Sequence, residues 1–328
     1  MRIYKLKKCK EIYGLYFTPD SRRLMVAHGI EGGVGEAVWL DLAKGEPIAN
    51  VLFSGEGWTG QAYALTADLS RLVVARSINA AAQLPELIQF RDPRLDPVKW
   101  RTLDLRLSWP RGHHLIYPYA LAISRDGNRL LIVHGWQRVT QQGGVWTYHL
   151  TECHLDDSKD STTLDVESRI GRVAIAPDGE HWIMNQGQDR QQSISLFSQF
   201  GGSPLARVDV PGLRVDKPTF SPDGQYLAAI NSSKTAIVMA AKRLTTVGIL
   251  ETNTKKHLND LAFSPDGSKI ITCAGDGSIR IWDTARAALI ESFDWNIGPL
   301  TAVAFSPDGL LCAAGGKSGQ IAVWDVDL

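Results

Sequence analysis

Short apolar runs alternate with polar turn residues along the whole chain, at nearly regular intervals. One phrase recurs, made of an apolar pair, a small residue and then Pro-Asp-Gly or a close variant. Its seven copies are centred on Asp20, Asp68, Asp126, Asp178, Asp223, Asp266 and Asp308. Successive copies lie 42 to 58 residues apart. A period of this length indicates a repeat architecture, in which similar units stack on their neighbours.

Each copy of the phrase predicts a β-hairpin, because proline and glycine favour a tight turn and aspartate caps it. A bulky or apolar residue stands four positions after each aspartate, as at Leu24, Leu227 and Ile270, so the register is kept. A third apolar strand follows each hairpin, and a more polar fourth strand precedes the next copy. Four short strands repeated seven times predict an all-β fold, a seven-bladed β-propeller with four antiparallel strands per blade.

The third strands of the last two repeats, SIRIWDT around Trp282 and QIAVWDV around Trp324, resemble the Trp-Asp strand of the WD-repeat family. The resemblance extends over the full chain, with Trp39 in the first repeat. In three other repeats a different residue stands near the tryptophan position: Phe90, Phe197 and Met239.

The resemblance also implies a buried polar set that joins a histidine, a strand hydroxyl, a turn aspartate and the tryptophan. Repeat six keeps Thr272, Asp276 and Trp282 but has no histidine at the expected distance, and repeat seven has Ser318 in place of the aspartate. We therefore expect apolar packing to replace much of this network.

The last repeat stops after its third strand, so its blade lacks a fourth strand. Residues 1–10 precede the first repeat and contain an alternating segment, RIYKLKK. In the WD-repeat family such a segment closes the ring, which removes unpaired strand edges between the first and last blades. We expect residues 1–328 to form a single propeller domain closed by this N-terminal strand, with no second domain attached.

Composition adds constraints on compartment and partner. The 35 basic residues balance 35 acidic ones, so no overall field favours nucleic acid or an anionic membrane. The four cysteines stand far apart without paired spacing, which favours free thiols in a reducing compartment. The sequence has neither a signal-peptide pattern nor an apolar stretch long enough to span a membrane. These features predict a cytoplasmic protein.

Candidate chemistry is sparse. The predicted innermost strands hold almost no carboxylate or histidine. We identify Asp260 as the one acid that directly precedes such a strand. A lone aspartate at this position is more often a turn or cap residue than a ligand. His149, Cys153, His154 and Asp156 fit no usual zinc spacing and are read as a polar surface segment. We predict no catalytic residue, no metal site and no cofactor. A propeller enzyme or metal-dependent hydrolase that uses the central channel is the alternative.

The resemblance implies that the loops between blades, and between second and third strands, form the rim that binds partners. Function tends to lie on loops held by a rigid scaffold, and Trp, Tyr and Arg anchor interfaces. A single loop tryptophan could equally pack over its own blade. The candidate partner-binding residues on these loops are Trp58, Trp109, Arg111, His113, Trp136, Arg138, Arg169, Arg214, Lys255 and Trp295.

The sequence therefore predicts a non-catalytic scaffold that holds a protein or peptide partner, with acidic character because the rim is mildly basic. We expect it to be a subunit of a larger complex, without a membrane role. Binding of single-stranded nucleic acid is a less favoured alternative, since it needs a stronger basic track beside stacking aromatics.

Overall fold

A computed structural model describes residues 1–30, 35–53, 62–66, 68–75, 86–90, 97–102, 115–140, 143–155, 161–188, 191–211, 215–231, 234–253 and 256–327. For a minority of the strand residues, among them 86–90, 97–102, 115–119, 136–140 and 143–145, the description covers the backbone alone. Within the described residues the chain forms strands, turns and loops, with no helix.

The strands fall into seven sheets of four, which are numbered as blades 1 to 7 in chain order. Blade 1 contains β2 (Glu11–Phe17), β3 (Arg23–Gly29), β4 (Gly35–Asp41) and β5 (Glu46–Phe53). Blade 2 contains β6 (Ala62–Leu65), β7 (Arg71–Ala75), β8 (Glu86–Phe90) and β9 (Pro97–Thr102). Blade 3 contains β10 (Leu115–Ile123), β11 (Arg129–Thr140), β12 (Gly143–His154) and β13 (Ser161–Val166).

The remaining blades follow the same order. Blade 4 contains β14 (Ile170–Ile175), β15 (Trp182–Gln188), β16 (Gln191–Phe197) and β17 (Ala206–Pro211). Blade 5 contains β18 (Asp216–Phe220), β19 (Tyr226–Ile230), β20 (Thr235–Ala240) and β21 (Thr245–Glu251). Blade 6 contains β22 (Leu258–Phe263), β23 (Lys269–Ala274), β24 (Ser278–Asp283) and β25 (Ala288–Asp294). Blade 7 contains β26 (Leu300–Phe305), β27 (Leu311–Gly316), β28 (Gln320–Asp325) and β1 (Arg2–Lys5).

Every sheet is antiparallel, and its strands run in chain order from the inner to the outer edge, except that β1 is the outer strand of blade 7. The prediction of a seven-bladed propeller with four antiparallel strands per blade is confirmed. Because neighbouring strands alternate in direction, the Pro-Asp-Gly turns share one face of the molecule, called here the turn face. The loops between blades, and between second and third strands, share the opposite face, called here the loop face.

Most turn aspartates accept a hydrogen bond from a hydroxyl two residues earlier in the chain, whereas Asp178, which has Ala176 at that position, is hydrogen-bonded by His181. Thr18 Oγ1 donates to Asp20 at 2.6 Å, and Ser264 Oγ donates to Asp266 at 2.6 Å. These hydroxyl bonds are the main reason why the pKa values of the Asp20 and Asp266 carboxyls lie below their usual value. The residue after the aspartate is left-handed in every blade, with φ of 72° at Gly267 and 55° even at Ser21. The phrase thus encodes one turn geometry, including where glycine is missing.

Contacts between successive turns join the blades on the turn face. Arg71 Nη1 donates to the carbonyl of Gly127 in the next turn, at 2.8 Å, and Arg129 Nη1 donates to that of Gly179, also at 2.8 Å. Ser21 Oγ accepts a bond from the backbone N–H of Asp308 at 3.3 Å, which connects blade 1 with blade 7. Each of these bonds links a turn to its neighbour in the ring.

The N-terminal strand closes blade 7, as predicted. Strand β1 pairs with β28 from Arg2 opposite Val323 to Lys5 opposite Gln320. Tyr4 is buried in a core cluster that combines residues of blades 1 and 7, and its hydroxyl donates to the carbonyl of Leu42 at 2.9 Å. The strand is shorter than the predicted closing segment 1–10, because the chain turns after Lys5 to reach β2.

The strand register confirms the predicted tryptophan positions in blades 6 and 7 and corrects the one in blade 1. Trp282 lies opposite Ile270, and Trp324 lies opposite Cys312, as the repeat predicts. In blade 1 the equivalent residue is Leu40, which lies opposite Leu24, whereas Trp39 is one residue out of register. The assignment of Trp39 to the family position was therefore wrong, and its ring lies on the other face of β4.

Only part of the polar set expected in repeat six is present. Trp282 Nε1 donates to Thr272 Oγ1 at 3.0 Å, and Asp276 accepts a bond from Ser278 Oγ at 2.6 Å. In blade 7 the indole N–H of Trp324 is buried and, among the described residues, has no hydrogen-bond partner. Its ring packs against Phe293 and Trp295, so apolar packing replaces the polar set there.

Two buried histidines stack within blade 3. His134 on β11 lies opposite His149 on β12, with ring centroids 5.4 Å apart. His134 Nε2 lies 2.9 Å from Thr151 Oγ1, and His149 Nδ1 lies 2.8 Å from Asp165 Oδ1. Burial, together with the second imidazole, lowers the pKa of His134 to about 3. The structure thus favours the neutral form of this ring.

Removal of residues 1–8 should lower the melting temperature by ~5 °C or more, because the loss of buried Tyr4 and Leu6 costs about 3 kcal/mol. Differential scanning calorimetry measures the shift. Removal of the last two residues, Asp327 and Leu328, is the control and should leave the melting temperature nearly unchanged. Equal melting temperatures for the N-terminal deletion and the full chain would contradict the closing role of β1.

The substitution Thr272→Val should destabilise the protein by about 1–2 kcal/mol, because the buried N–H of Trp282 loses its acceptor. Thr284 is a matched control, since its hydroxyl is buried and forms no hydrogen bond within the described part of the chain. Thr284→Val should change the free energy of unfolding by less than about 0.5 kcal/mol. Urea unfolding measures both values, and equal effects would argue against the bond.

The free energy of unfolding should fall as the pH is lowered from 7 to 5. Unfolded His134 takes up a proton near its ordinary pKa of 6.5, whereas the folded side chain does so only near 3. This single group removes ~2 kcal/mol of stability at pH 5. His134→Gln should therefore have a smaller pH dependence than the wild type between pH 7 and 5 in denaturant titrations. Parallel curves would show that the histidine is not held neutral.

Candidate functional site

The seven inner strands surround a cavity of about 940 Å³ that forms the central channel. Residues of every blade line it, from Leu15 in blade 1 to Val303 in blade 7. The wall is mostly apolar, through side chains such as Leu121, Val173 and Leu261. Polar side chains are concentrated where the inner strands begin, at the mouth on the loop face.

The beginning of an inner strand is irregular in six blades. Each of these strands carries a register shift within its first residues: between Ile12 and Gly14, Pro118 and Ala120, Ile170 and Val173, Asp216 and Thr219, Leu258 and Asp260, and Leu300 and Ala302. A β-bulge redirects the side chains around it and is common beside functional sites. The bulges therefore set which side chains reach the mouth of the channel.

Two ion pairs lie at this mouth and connect three consecutive blades. Arg172 Nε of blade 4 lies 2.7 Å from Asp216 Oδ1 of blade 5. Lys217 Nζ of blade 5 lies 2.8 Å from Asp260 Oδ1 of blade 6. Asp260 also accepts the backbone N–H of Val303 in blade 7, at 3.0 Å. The carboxylates thus join neighbouring inner strands from blade 4 to blade 7.

These ion pairs correct the sequence interpretation of the channel. Asp260 was expected to be a lone acid with a turn or cap role, but it ends inside the channel and pairs with a lysine of the neighbouring blade. Asp216, which also directly precedes a predicted inner strand, was overlooked. The signal that could have identified Asp216 is the Asp-Lys pair at 216–217, directly before the proline that begins the apolar run.

In both ion pairs the side chain of the cation is more exposed to solvent than the side chain of the acid. The side chains of Arg172 and Lys217 are 37% and 36% exposed, whereas those of Asp216 and Asp260 are 17% and 14% exposed. Lys217 has a left-handed backbone, with φ of 48°, which is an uncommon conformation for lysine. Strain of this kind clusters at functional sites. The mouth therefore presents two cations, each supported by a carboxylate behind it.

Hydrogen bonds from uncharged side chains connect the inner strands of blades 6, 7 and 1. Asn259 Nδ2 of blade 6 donates to the carbonyl of Leu300 at 2.6 Å. Thr301 Oγ1 of blade 7 donates to the carbonyl of Ile12 in blade 1, at 2.5 Å. Tyr13 also lines the mouth, and burial raises the pKa of its phenol. At neutral pH the phenol is therefore a neutral group that can donate or accept hydrogen bonds.

Six of the ten predicted partner-binding residues lie outside the described residues: Trp58, Trp109, Arg111, His113, Arg214 and Lys255. Trp136 and Arg138 lie on the extended end of β11, opposite Thr147 and Val145 of β12, with only their backbone described. The prediction of a loop here was wrong, because β11 and β12 continue their pairing through these residues as far as Thr140 opposite Gly143. Their role in binding remains a prediction.

The other two predicted residues differ in environment. Arg169 is exposed on the loop that leads into β14. Trp295 is partly buried, stacks on Phe293 with ring centroids 5.3 Å apart and contacts Trp324. Its ring therefore packs over blades 6 and 7, which was the alternative open to each loop tryptophan, and only its remaining exposed edge is available to a partner.

The cluster predicted as a polar surface segment is divided by the structure. His149 and Cys153 are buried within blade 3, His154 is exposed, and Asp156 lies outside the described residues. The expectation of an exposed segment was wrong for the two buried residues, because β12 is an internal strand of blade 3 and is buried on both faces, as Leu150 and Thr151 also show. Within the described part of the chain, no group of three His, Cys, Asp or Glu side chains is placed to hold a metal ion.

Among the described residues, no helix has the length and apolar character needed to cross a membrane.

Comparison with known families gives a match at the C-terminal end of the chain. Residues 244–283 and 289–325 match the family described as WD domain, G-beta repeat. These ranges cover most of blades 6 and 7, where the Trp-Asp strands are intact.

Three relatives share part of the chain. An uncharacterized WD repeat-containing protein of Synechocystis is 38% identical over 135 residues, which is 41% of this chain and 37% of the relative. The WD repeat, SAM and U-box domain-containing protein 1 of Danio rerio is 32% identical over 94 residues, which is 28% of this chain and 19% of the relative. The periodic tryptophan protein 2 homolog of Dictyostelium discoideum is 26% identical over 108 residues, 33% of this chain and 12% of the relative.

The matched regions span little more than a third of the longest-matched relative and less of the others. WD repeats indicate, in general, a protein-interaction scaffold, and proteins of this family are generally not enzymes. The seven four-stranded sheets, the Trp-Asp strands of blades 6 and 7 and the matches to WD-repeat sequences agree with one another and support a WD-repeat family for this chain.

Proposed function

We propose that this protein is a non-catalytic scaffold whose loop face binds a protein or peptide partner, centred on the mouth of the channel. The observation that carries the proposal is the pair of exposed cations, Arg172 and Lys217, each supported by a more buried carboxylate. A fixed cation at a cavity mouth attracts an acidic group and orients it. We therefore expect an acidic side chain of the partner to contact this mouth.

The surroundings of the mouth suit a protein partner better than a nucleic acid. The exposed residues on the loop side of the described blades include the cations Arg169 and Lys256 and the acids Asp165, Glu167 and Glu251. A nucleic acid backbone requires a continuous basic track, whereas mixed charges are typical of protein interfaces. The predicted residues on the loop face, including Trp136 and Arg138, extend the proposed surface beyond the channel.

The groups in the channel favour binding over catalysis. Both carboxylates at the mouth, Asp216 and Asp260, are bound to cations, so neither is poised as a general base. The enzyme alternative gains no support from these contacts. We further propose that residues 1–328 act as one propeller unit within a larger cytoplasmic complex. The free cysteines agree with a reducing compartment.

Charge reversal on the loop face should weaken partner binding. Arg169→Glu with Lys256→Glu should reduce the amount of partner captured from a lysate at least tenfold, because two exposed cations become repulsive. Quantitative mass spectrometry of the captured proteins measures the loss. The partner identified in this way then defines the affinity measurement with purified components.

The matched control places the same charge change on the turn face. Arg125 and Arg243 are exposed there, and Arg125→Glu with Arg243→Glu should leave capture within about twofold of the wild type. Thermal melts of both variants establish that the fold is intact. Equal losses for the two variants, or a loss only for the control, would place the partner elsewhere and refute the proposal.

A further inference from the structure

The segment that joins the closing strand to blade 1 carries an exposed basic patch. Lys7, Lys8 and Lys10 are exposed on this segment, and Lys317, 60% exposed, lies on the loop between β27 and β28. These four lysines are called here the latch patch. None of the four was among the predicted partner-binding residues, because the sequence alone does not show that Lys317 is next to the N-terminal segment.

Backbone hydrogen bonds fix the position of this segment on the loop face. The N–H of Leu6 donates to the carbonyl of Gly319 in blade 7, at 3.0 Å. The N–H of Lys10 donates to the carbonyl of Gly29 in blade 1, at 2.8 Å. The lysines between these two bonds therefore lie across the junction of the last and first blades. They keep this position only while β1 is paired in blade 7.

The charge of the patch is only partly compensated. Glu11, 34% exposed, lies 3.7 Å from Lys317. Glu36 is 14% exposed, and it lies 3.3 Å from His28 Nε2 and accepts a bond from Asn50 Nδ2 at 2.6 Å. Four lysines thus face two acids, in a chain whose formal net charge is zero. A local excess of positive charge of this kind attracts an anionic partner.

The thiol within the patch adds no reactivity. Cys9 lies between Lys8 and Lys10, and burial is the main cause that raises the pKa of its thiol to about 11. A thiol with this pKa is protonated at neutral pH and is a poor nucleophile. The chemistry that the patch offers is therefore electrostatic attraction by ammonium groups.

We propose that the latch patch binds an acidic segment of the partner and that this binding holds the closing strand in place. The inference rests on the proposed function, since it assigns a second contact to the same peptide or protein partner. Four flexible ammonium groups at one blade junction match a short run of carboxylates. The patch is too short for the continuous cation track that nucleic acid binding requires.

The coupling follows from the two chain segments that form the patch. Lys7, Lys8 and Lys10 follow β1, whereas Lys317 belongs to blade 7, so an acidic segment that contacts both binds only when the strand is seated. A ligand that binds only the closed state reduces the open population by the factor 1 + [L]/Kd. Opening of β1 should therefore become about elevenfold rarer at a ligand concentration of ten times Kd.

An acetylated hexaglutamate peptide is the probe for this proposal. Calorimetric titration of the full chain should show saturable binding, and hydrogen exchange with mass spectrometry should show about tenfold slower exchange of residues 2–6 at ten times Kd. Exchange in β25, an outer strand remote from the patch, is the internal control and should not change. Binding without slower exchange in β1 would overturn the coupling.

Two sets of matched variants distinguish the charge of the latch patch from the net charge of the whole protein. Lys7→Gln, Lys8→Gln and Lys10→Gln together should weaken peptide binding at least tenfold, whereas the three corresponding arginine substitutions should retain it. Lys242→Gln, Arg243→Gln and Arg286→Gln remove the same charge from exposed positions on the turn face and should leave binding unchanged. Equal weakening by the two glutamine variants would refute the latch patch as the site.

Two further probes test the class of partner. A short oligothymidine and vesicles that contain phosphatidylserine should bind more weakly than the peptide at physiological salt, and tighter patch-dependent binding of either would overturn the assignment to an acidic peptide. Partner capture distinguishes this inference from the proposed function. If the triple glutamine variant captures the partner normally while the Arg169 and Lys256 variant does not, the latch inference fails and the proposed function stands.

Discussion

The structure depends on the pairing of β1 with β28, because a ring of sheets is complete only when its first and last members are joined. No blade can bury both of its faces alone, since each packs its faces against its two neighbours. In blade 7 the buried face of β1, with Tyr4, packs into the same cluster as residues of blade 1. The strand therefore completes the last sheet and also seals the last interface.

Side chains brace the blades differently on the two faces of the molecule. On the turn face, arginines and a serine hydroxyl connect successive turns, and turn aspartates such as Asp20 and Asp266 accept hydrogen bonds from nearby hydroxyl groups. On the loop face, bulged inner strands send Arg172, Lys217 and Thr301 across to the next blade. The blades are thus joined on the turn face by hydrogen bonds between neighbouring turns, whereas the residues that join them on the loop face surround the mouth of an open cavity.

Much of the fold could be predicted because one turn phrase sets the repeat. Proline, aspartate and glycine act through backbone conformation alone, so their effect is local and visible in the sequence. The position of Trp39 was wrong by one residue, because a shift of one moves a strand residue to the opposite face without changing composition. The stacking of His134 on His149 requires the register of two strands, which the sequence does not define at single-residue accuracy.

Strands from the first and last parts of the sequence meet within one sheet, with Arg2 directly opposite Val323. The seam between blades 7 and 1 is thus made by pairing two distant segments, and blade 7 has four strands like the other blades. A short covalent bridge between the two ends, with a new opening in an inter-blade loop, would preserve every strand pairing while moving the seam to another junction.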